Sequence, residues 1–195
     1  WKYNLQIENK FVKKLNVNSI ISARNFKEVG LLSIDIDGND YWVLEKIDNL
    51  SPTFIVCEYN SIFGDLSKIS IPYKKDFERK KSHFSNLYFG ASLNSFKFML
   101  GNKGYSFLGT STTGVNAFFV KREFESLFKS IIEENKAYPA KVREALDKKG
   151  KLTYENLTKS LTLIKDMEVF DFDENSFKKI KDYKNLYSKY WMDSF

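Results

Sequence analysis

The stretch Leu31-Leu32-Ser33-Ile34-Asp35-Ile36-Asp37-Gly38-Asn39-Asp40-Tyr41-Trp42-Val43-Leu44 constrains the fold of this chain more than any other. An apolar run enters two alternating carboxylates, breaks at Gly38, and resumes with helical spacing at Trp42, Val43 and Ile47. Ser51-Pro52 ends that helix. Phe54-Ile55-Val56-Cys57 then forms a second apolar run that leads into Glu58-Tyr59-Asn60. A continuous run of this kind reads as a parallel strand buried on both faces. Strand, short helix and strand within about 25 residues make a βαβ unit. Open α/β sheets bind their ligands beyond the carboxyl ends of such strands, so Asp35, Asp37 and Glu58 are the first candidates for function.

Strand alternation puts Asp35 and Asp37 on one face and Ile34 and Ile36 on the other. A carboxylate in such a place can accept from ribose hydroxyls, orient a cationic group, bind Mg²⁺ or act as a general base. The same residue types also cap turns and helices, and for Asp37, Asn39 and Asp40 that reading stands beside the functional one. The spacing of Asp35, Asp37 and Asp40 resembles the start of a calcium loop. The pattern fails at the twelfth loop position, where Lys46 replaces the bidentate glutamate. A divalent metal is therefore allowed by the carboxylates but not supported by spacing, and the lack of a Cys/His cluster argues against zinc. His83 is the only histidine. Its ordinary pKa near neutrality makes it a candidate general base, with a plain loop histidine as the alternative. Cys57, the only cysteine, falls inside the second strand and reads as core rather than nucleophile.

The 195 residues suffice for one domain with a sizeable core, and 43% hydrophobic content with 18 Phe and 11 Tyr excludes a disordered chain. No apolar run is long enough to span a bilayer, and with a single cysteine we expect a cytoplasmic protein. The net charge of +6 is concentrated before residue 125, where 17 basic face 12 acidic side chains. Its densest cluster, Lys74-Lys75-Asp76-Phe77-Glu78-Arg79-Lys80-Lys81, is broken by acids. It reads as a solvated surface rather than a nucleic-acid interface, although such a run could attract an anionic acceptor.

Trp1 to Ile7 reads as a strand ending at Glu8, and Asn9 as the cap of a short helix carrying Phe11, Val12 and Leu15. The segments 105–110 and 115–121, separated by Ser111-Thr112-Thr113-Gly114, predict an antiparallel hairpin. After Phe124 the periodicity is helical. Helices are expected from Phe124 to Ile132, from Pro139 to Gly150, near 153–167, and over 174–191 with Ile180, Tyr183, Tyr187 and Tyr190 on one face. We therefore divide the chain into an α/β domain at 1–124 and a helical C-terminal extension at 125–195.

The blocks Leu31 to Trp42, Val56 to Asn60, Tyr88-Phe89-Gly90-Ala91-Ser92-Leu93, Lys103-Gly104-Tyr105 and Asn116-Ala117-Phe118-Phe119-Val120 occur in this order. Together they resemble FkbM-type S-adenosylmethionine-dependent methyltransferases. The resemblance spans roughly residues 1–123 and implies a Rossmann-like class I methyltransferase sheet, mostly parallel with an antiparallel hairpin at one end. It makes Leu5-Gln6-Ile7-Glu8 the second strand, with Glu8 on the cofactor ribose, and Leu31–Asp37 and Phe54–Glu58 the fourth and fifth strands. The first strand and its glycine-rich loop would precede Trp1, so the domain is expected to be incomplete as it stands. The implied function is O-methylation of a sugar or other small hydroxyl acceptor with S-adenosylmethionine. Asp37 would orient acceptor or cofactor, His83 would serve as base, and Asp35 and Glu58 would line the cofactor site. The alternative is a non-catalytic module that keeps the fold for binding or scaffolding.

Overall fold

The computed structural model describes residues 5–194. At its centre lies the expected βαβ unit. Strand β1 (Leu31–Ile34) pairs in parallel with β2 (Phe54–Glu58), Ile34 lying opposite Cys57, and helix α2 (Asp40–Lys46) connects them. The short helix α1 (Val17–Ser22) precedes the unit. The predicted hairpin also forms. Strands β4 (Tyr105–Thr110) and β5 (Asn116–Lys121) pair antiparallel, and β5 inserts beside β2, giving a four-stranded mixed sheet in the order β1-β2-β5-β4. These elements formed as read because each carries its own local signal: apolar runs for the strands, Gly114 in the turn, and helical spacing in α2. Helix α4 (Leu93–Asn102) precedes β4.

Gly38 serves a purpose different from the one its place in a turn suggests. The residue with positive φ is Asp37, at 55°, whereas Gly38 is required by packing, since a Cβ there would enter the Phe77 ring. Asn39 makes no side-chain cap; its amide donates to the Lys74 carbonyl at 2.9 Å.

The C-terminal part is not a set of helices. Residues 139–149 lack a helix because their amides are bonded to other segments, Lys141 N to Thr113 O and Leu146 N to Ser85 O. The span 174–191 is also broken. After helix α6 (Leu157–Ile164), strands β6 (Glu168–Asp171) and β7 (Ser176–Lys179) form a hairpin. Its turn is set by Asp171, whose carboxylate accepts from the amides of Asp173 and Glu174, and by Asn175 with φ of 51°. Turn chemistry thus overrides the 3.6-residue spacing of Ile180, Tyr183, Tyr187 and Tyr190. With β3 (Ile69–Ser70) the hairpin makes a second, antiparallel sheet in the order β3-β6-β7. Phe170 and Phe172 of this hairpin region pack on Trp42 of α2, ring centroids 5.7 and 5.6 Å away.

One apolar cluster joins both parts of the chain. Phe63, Phe96 and Phe119 share it with Ile164, Val169 and Trp191, all essentially buried. The remaining short helices are α3 (Arg79–Ser82), α5 (Lys129–Glu134) and α7 (Lys189–Asp193). The N-terminal strand is not present over residues 5–7, where Leu5 and Ile7 are 78% and 82% exposed, and Trp1 to Asn4 lie outside the described residues. Nor does Asn9 start a helix. The chain instead turns at Asn16, whose side chain accepts from Lys13 N at 2.6 Å. No helix among the described residues is long and apolar enough to cross a membrane.

The C-terminal segment docks at a tight point. Gly64 has φ of 74°, and a Cβ there would collide with the Leu186 carbonyl, which accepts from Asp65 N at 3.1 Å. Gly64→Ala is therefore expected to lower stability by about 2 kcal/mol or more through combined strain and overpacking. Urea unfolding measures this, and an unchanged midpoint would remove the contact from the constraints on the fold.

Candidate functional site

The parallel register dictates the site. With Ile34 opposite Cys57, Asp35, just past the end of β1, comes beside Glu58, the last residue of β2. Asp40, in the first turn of α2, folds back towards them. One carboxylate oxygen from each of Asp35, Asp40 and Glu58 lies within 4.8 Å of the others. Asp40 is 1% exposed and accepts from Ile36 N at 2.9 Å and Gly38 N at 2.8 Å. Burial raises its pKa, those backbone bonds working against the rise.

Glu58 is 9% exposed, and its Oε2 is buried with no hydrogen-bond partner. Its pKa is pushed up to about 8, first by burial, then by the charges of Asp35 and Asp40, with Arg79 opposing. Asp35 stays exposed to solvent. Beyond Ile34 the strand ends, so alternation no longer governs which way the side chains face. Asp37 turns through its left-handed backbone, and its carboxylate goes to Arg79.

Arg79 is the residue that sequence reasoning missed. It is 9% exposed, and its planar fork is engaged on every side. Nε donates to Asn86 O at 2.8 Å, Nη1 to Asp37 Oδ1 at 2.8 Å, and Nη2 to Glu144 Oε1. Nη1 also lies 4.0 Å from Glu58 Oε1, and the guanidinium carbon sits 3.6 Å from the centroid of the Phe89 ring. The signal was one arginine in the run Lys74 to Lys81, since a fork of five donors suits a fixed multi-carboxylate contact that an ammonium does not. Glu144 carried no signal, because its placement depends on the non-helical course of 139–149.

Five carboxylates are thus linked through Glu58: Arg79 binds Asp37 and Glu144 and approaches Glu58, which clusters with Asp35 and Asp40. Among the described residues no other ion pair reaches them. Beside them opens a cavity of about 380 Å³ between the end of β2 and the 140–144 strap, lined by Glu58, Phe89, Val115, Arg143, Glu144 and Asn156 among others. Its volume lies in the range of small-molecule sites. Asn60, itself part of the lining, also holds the neighbouring loop. Its amide nitrogen donates to Leu87 O and Phe89 O, both at 2.9 Å, and its oxygen accepts from Ile62 N.

The other candidates lie elsewhere. Glu8 pairs with Lys10 at 2.7 Å and with Arg24, on a segment that joins no sheet, so no strand end carries it to the site. His83 is not part of the cavity lining; its Nδ1 lies 2.7 Å from Ser85 Oγ, and partial burial lowers its pKa. Cys57 is fully buried, with its thiol pushed well above the ordinary range by burial.

No protein-family model matches this chain, and no curated protein or solved structure matches it either.

Two outcomes are expected from this geometry. Replacing Arg79 with Met should cost about 2–3 kcal/mol, less than a fully buried pair because Asp37 is solvent-exposed. Arg79→Lys should recover only part of the loss, since one ammonium cannot reach three directions; full recovery by lysine would contradict the fork argument. Glu58 in turn confers pH dependence. Its folded pKa near 8 exceeds its ordinary 4.5, so its contribution to stability is complete below about 4.5 and is lost as pH rises through about 8. Glu58→Gln should therefore flatten the fall in stability between pH 5 and 8. Parallel unfolding curves for variant and wild type over that range would refute the assignment.

Proposed function

We propose that this chain belongs to an S-adenosylmethionine-dependent methyltransferase-like domain that methylates a hydroxyl of a sugar or another small acceptor. The observation that carries this reading is that Asp35 and Glu58 stand side by side at the ends of two consecutive parallel strands, with Glu58 lining a ligand-sized cavity. The β4–β5 hairpin at the end of the sheet agrees with the fold that the resemblance implies. The excess of carboxylates fits a cationic ligand, whereas Glu8, engaged with Lys10 and Arg24, does not fit its ribose-binding role.

S-adenosylmethionine supplies a sulfonium-activated methyl group when bound. The chain's own part is to hold the acceptor and remove a proton. Glu58 suits the second task better than His83, because it lines the cavity and a carboxyl with pKa near 8 can both take and release a proton at neutral pH. Phe89, stacked on Arg79, and Val115 give the cavity apolar walls. Asp37 supports the site by orienting Arg79 rather than by touching ligand.

The alternative, a non-catalytic binding or scaffold module, draws support from Arg79, which engages Asp37 and Glu144 in internal ties. Isothermal titration of the full-length protein with S-adenosylmethionine separates the two. Saturable heat is expected for the enzyme, and Glu58→Gln should lower the methylation rate by roughly 10²-fold or more. Absence of heat at millimolar cofactor would leave the binding module as the surviving reading.

A further inference from the structure

We propose that Asp35, Asp40 and Glu58 form a binding site for a hard divalent cation. The inference is independent of bound methyl donor; with an ion in place Glu58 is a ligand and is not free to act as the base proposed above.

The first support is distance. The three carboxylate oxygens lie within 4.8 Å of one another. That is close enough for one ion to be held by all three with small side-chain adjustments. All three ligands are oxygens, with no histidine or cysteine thiolate among them, which selects a hard ion over zinc.

The second support is the state of Glu58 itself. Glu58 is 9% exposed, yet its Oε2 has no donor anywhere among the described residues. A buried polar atom left without a partner is costly and uncommon. A cation between Glu58, Asp35 and Asp40 provides the missing partner.

The surroundings fit as well. Two backbone amides already fix the Asp40 carboxylate, leaving its remaining lone pairs free for a metal. Arg79, the nearest cation, is turned to Asp37 and Glu144 and stands 4.0 Å from Glu58 Oε1, so it does not take the ion's place. Asp35 is exposed, so the ion has a path from solvent and room to keep waters. With three protein ligands, affinity should be modest, about 0.1–1 mM.

The test is thermal unfolding of the chelator-treated full-length protein with added CaCl₂, MgCl₂ or MnCl₂, in the absence of S-adenosylmethionine. At ten times its dissociation constant, the ion that binds should raise Tm by about 3–6 °C. That rise should disappear in Asp35→Asn, an exposed position where folding is not at stake, and in Glu58→Gln. No shift at 10 mM of any of the three ions, or an equal shift in Asp35→Asn, would overturn the site. Because no methyl donor is present, loss of the cation site leaves the methyltransferase proposal standing. Failure of cofactor binding likewise leaves the cation site standing.

Discussion

One guanidinium holds the two ends of this molecule's candidate site together. Arg79 joins a turn after β1, the 83–89 loop, and a strap more than sixty residues further on. None of these segments has regular secondary structure at the contact, so ladder hydrogen bonds cannot fix their mutual position. A planar fork can, because its donors leave in set directions. Stacking on Phe89 fixes the plane of the fork, and the two carboxylates fix its rotation within that plane. The cavity wall formed by residues 140–144 therefore depends on a side chain rather than on the sheet.

The clustered acids divide their roles accordingly. Asp37 lies in the left-handed region, where short polar residues are tolerated, and this carries its carboxylate to Arg79. Asp40 binds backbone amides and shapes the turn into α2. Asp35 and Glu58 are left with no such structural duty, beyond the distant approach of Arg79 to Glu58. A fold that needed these carboxylates only as caps would not bury Glu58 with a free oxygen. That asymmetry is what makes the pair the functional centre of both proposals.

The sequence made some of this legible. The β1–α2–β2 unit and the β4–β5 hairpin could be read because apolar runs, turn residues and helical spacing agree locally, and the emphasis on Asp35 and Glu58 followed from strand ends alone. The rest depended on partners remote in sequence. Residues 139–149 show helical spacing, but their amides bond to Thr113 and Ser85, which no local pattern reveals. The 174–191 segment had a helical stripe of aromatics, yet Asp171 and Asn175 imposed a hairpin. Glu8 was placed through a strand that residues 5–7 do not form. Arg79 was visible in the sequence but was read with its lysine neighbours as surface charge. Its burial beside Phe89 depends on the loop that Asn60 holds.

Charge narrows what the cavity can accept. The chain as a whole is basic, with a net charge of +6, yet the exits of its two parallel strands hold an excess of carboxylates that one arginine does not neutralise. An anionic group directed at the strand ends would meet repulsion from the carboxylates clustered there, in a partly dry site where such terms exceed their value in water. A neutral hydroxyl or a cation meets none. The basic side chains Lys141 and Arg143 line the same cavity, so a ligand carrying an anionic substituent could still enter with that group turned away from the strand ends. The acidic end thus orients whatever binds, placing the neutral or positive part of a ligand against Glu58 before any chemistry begins.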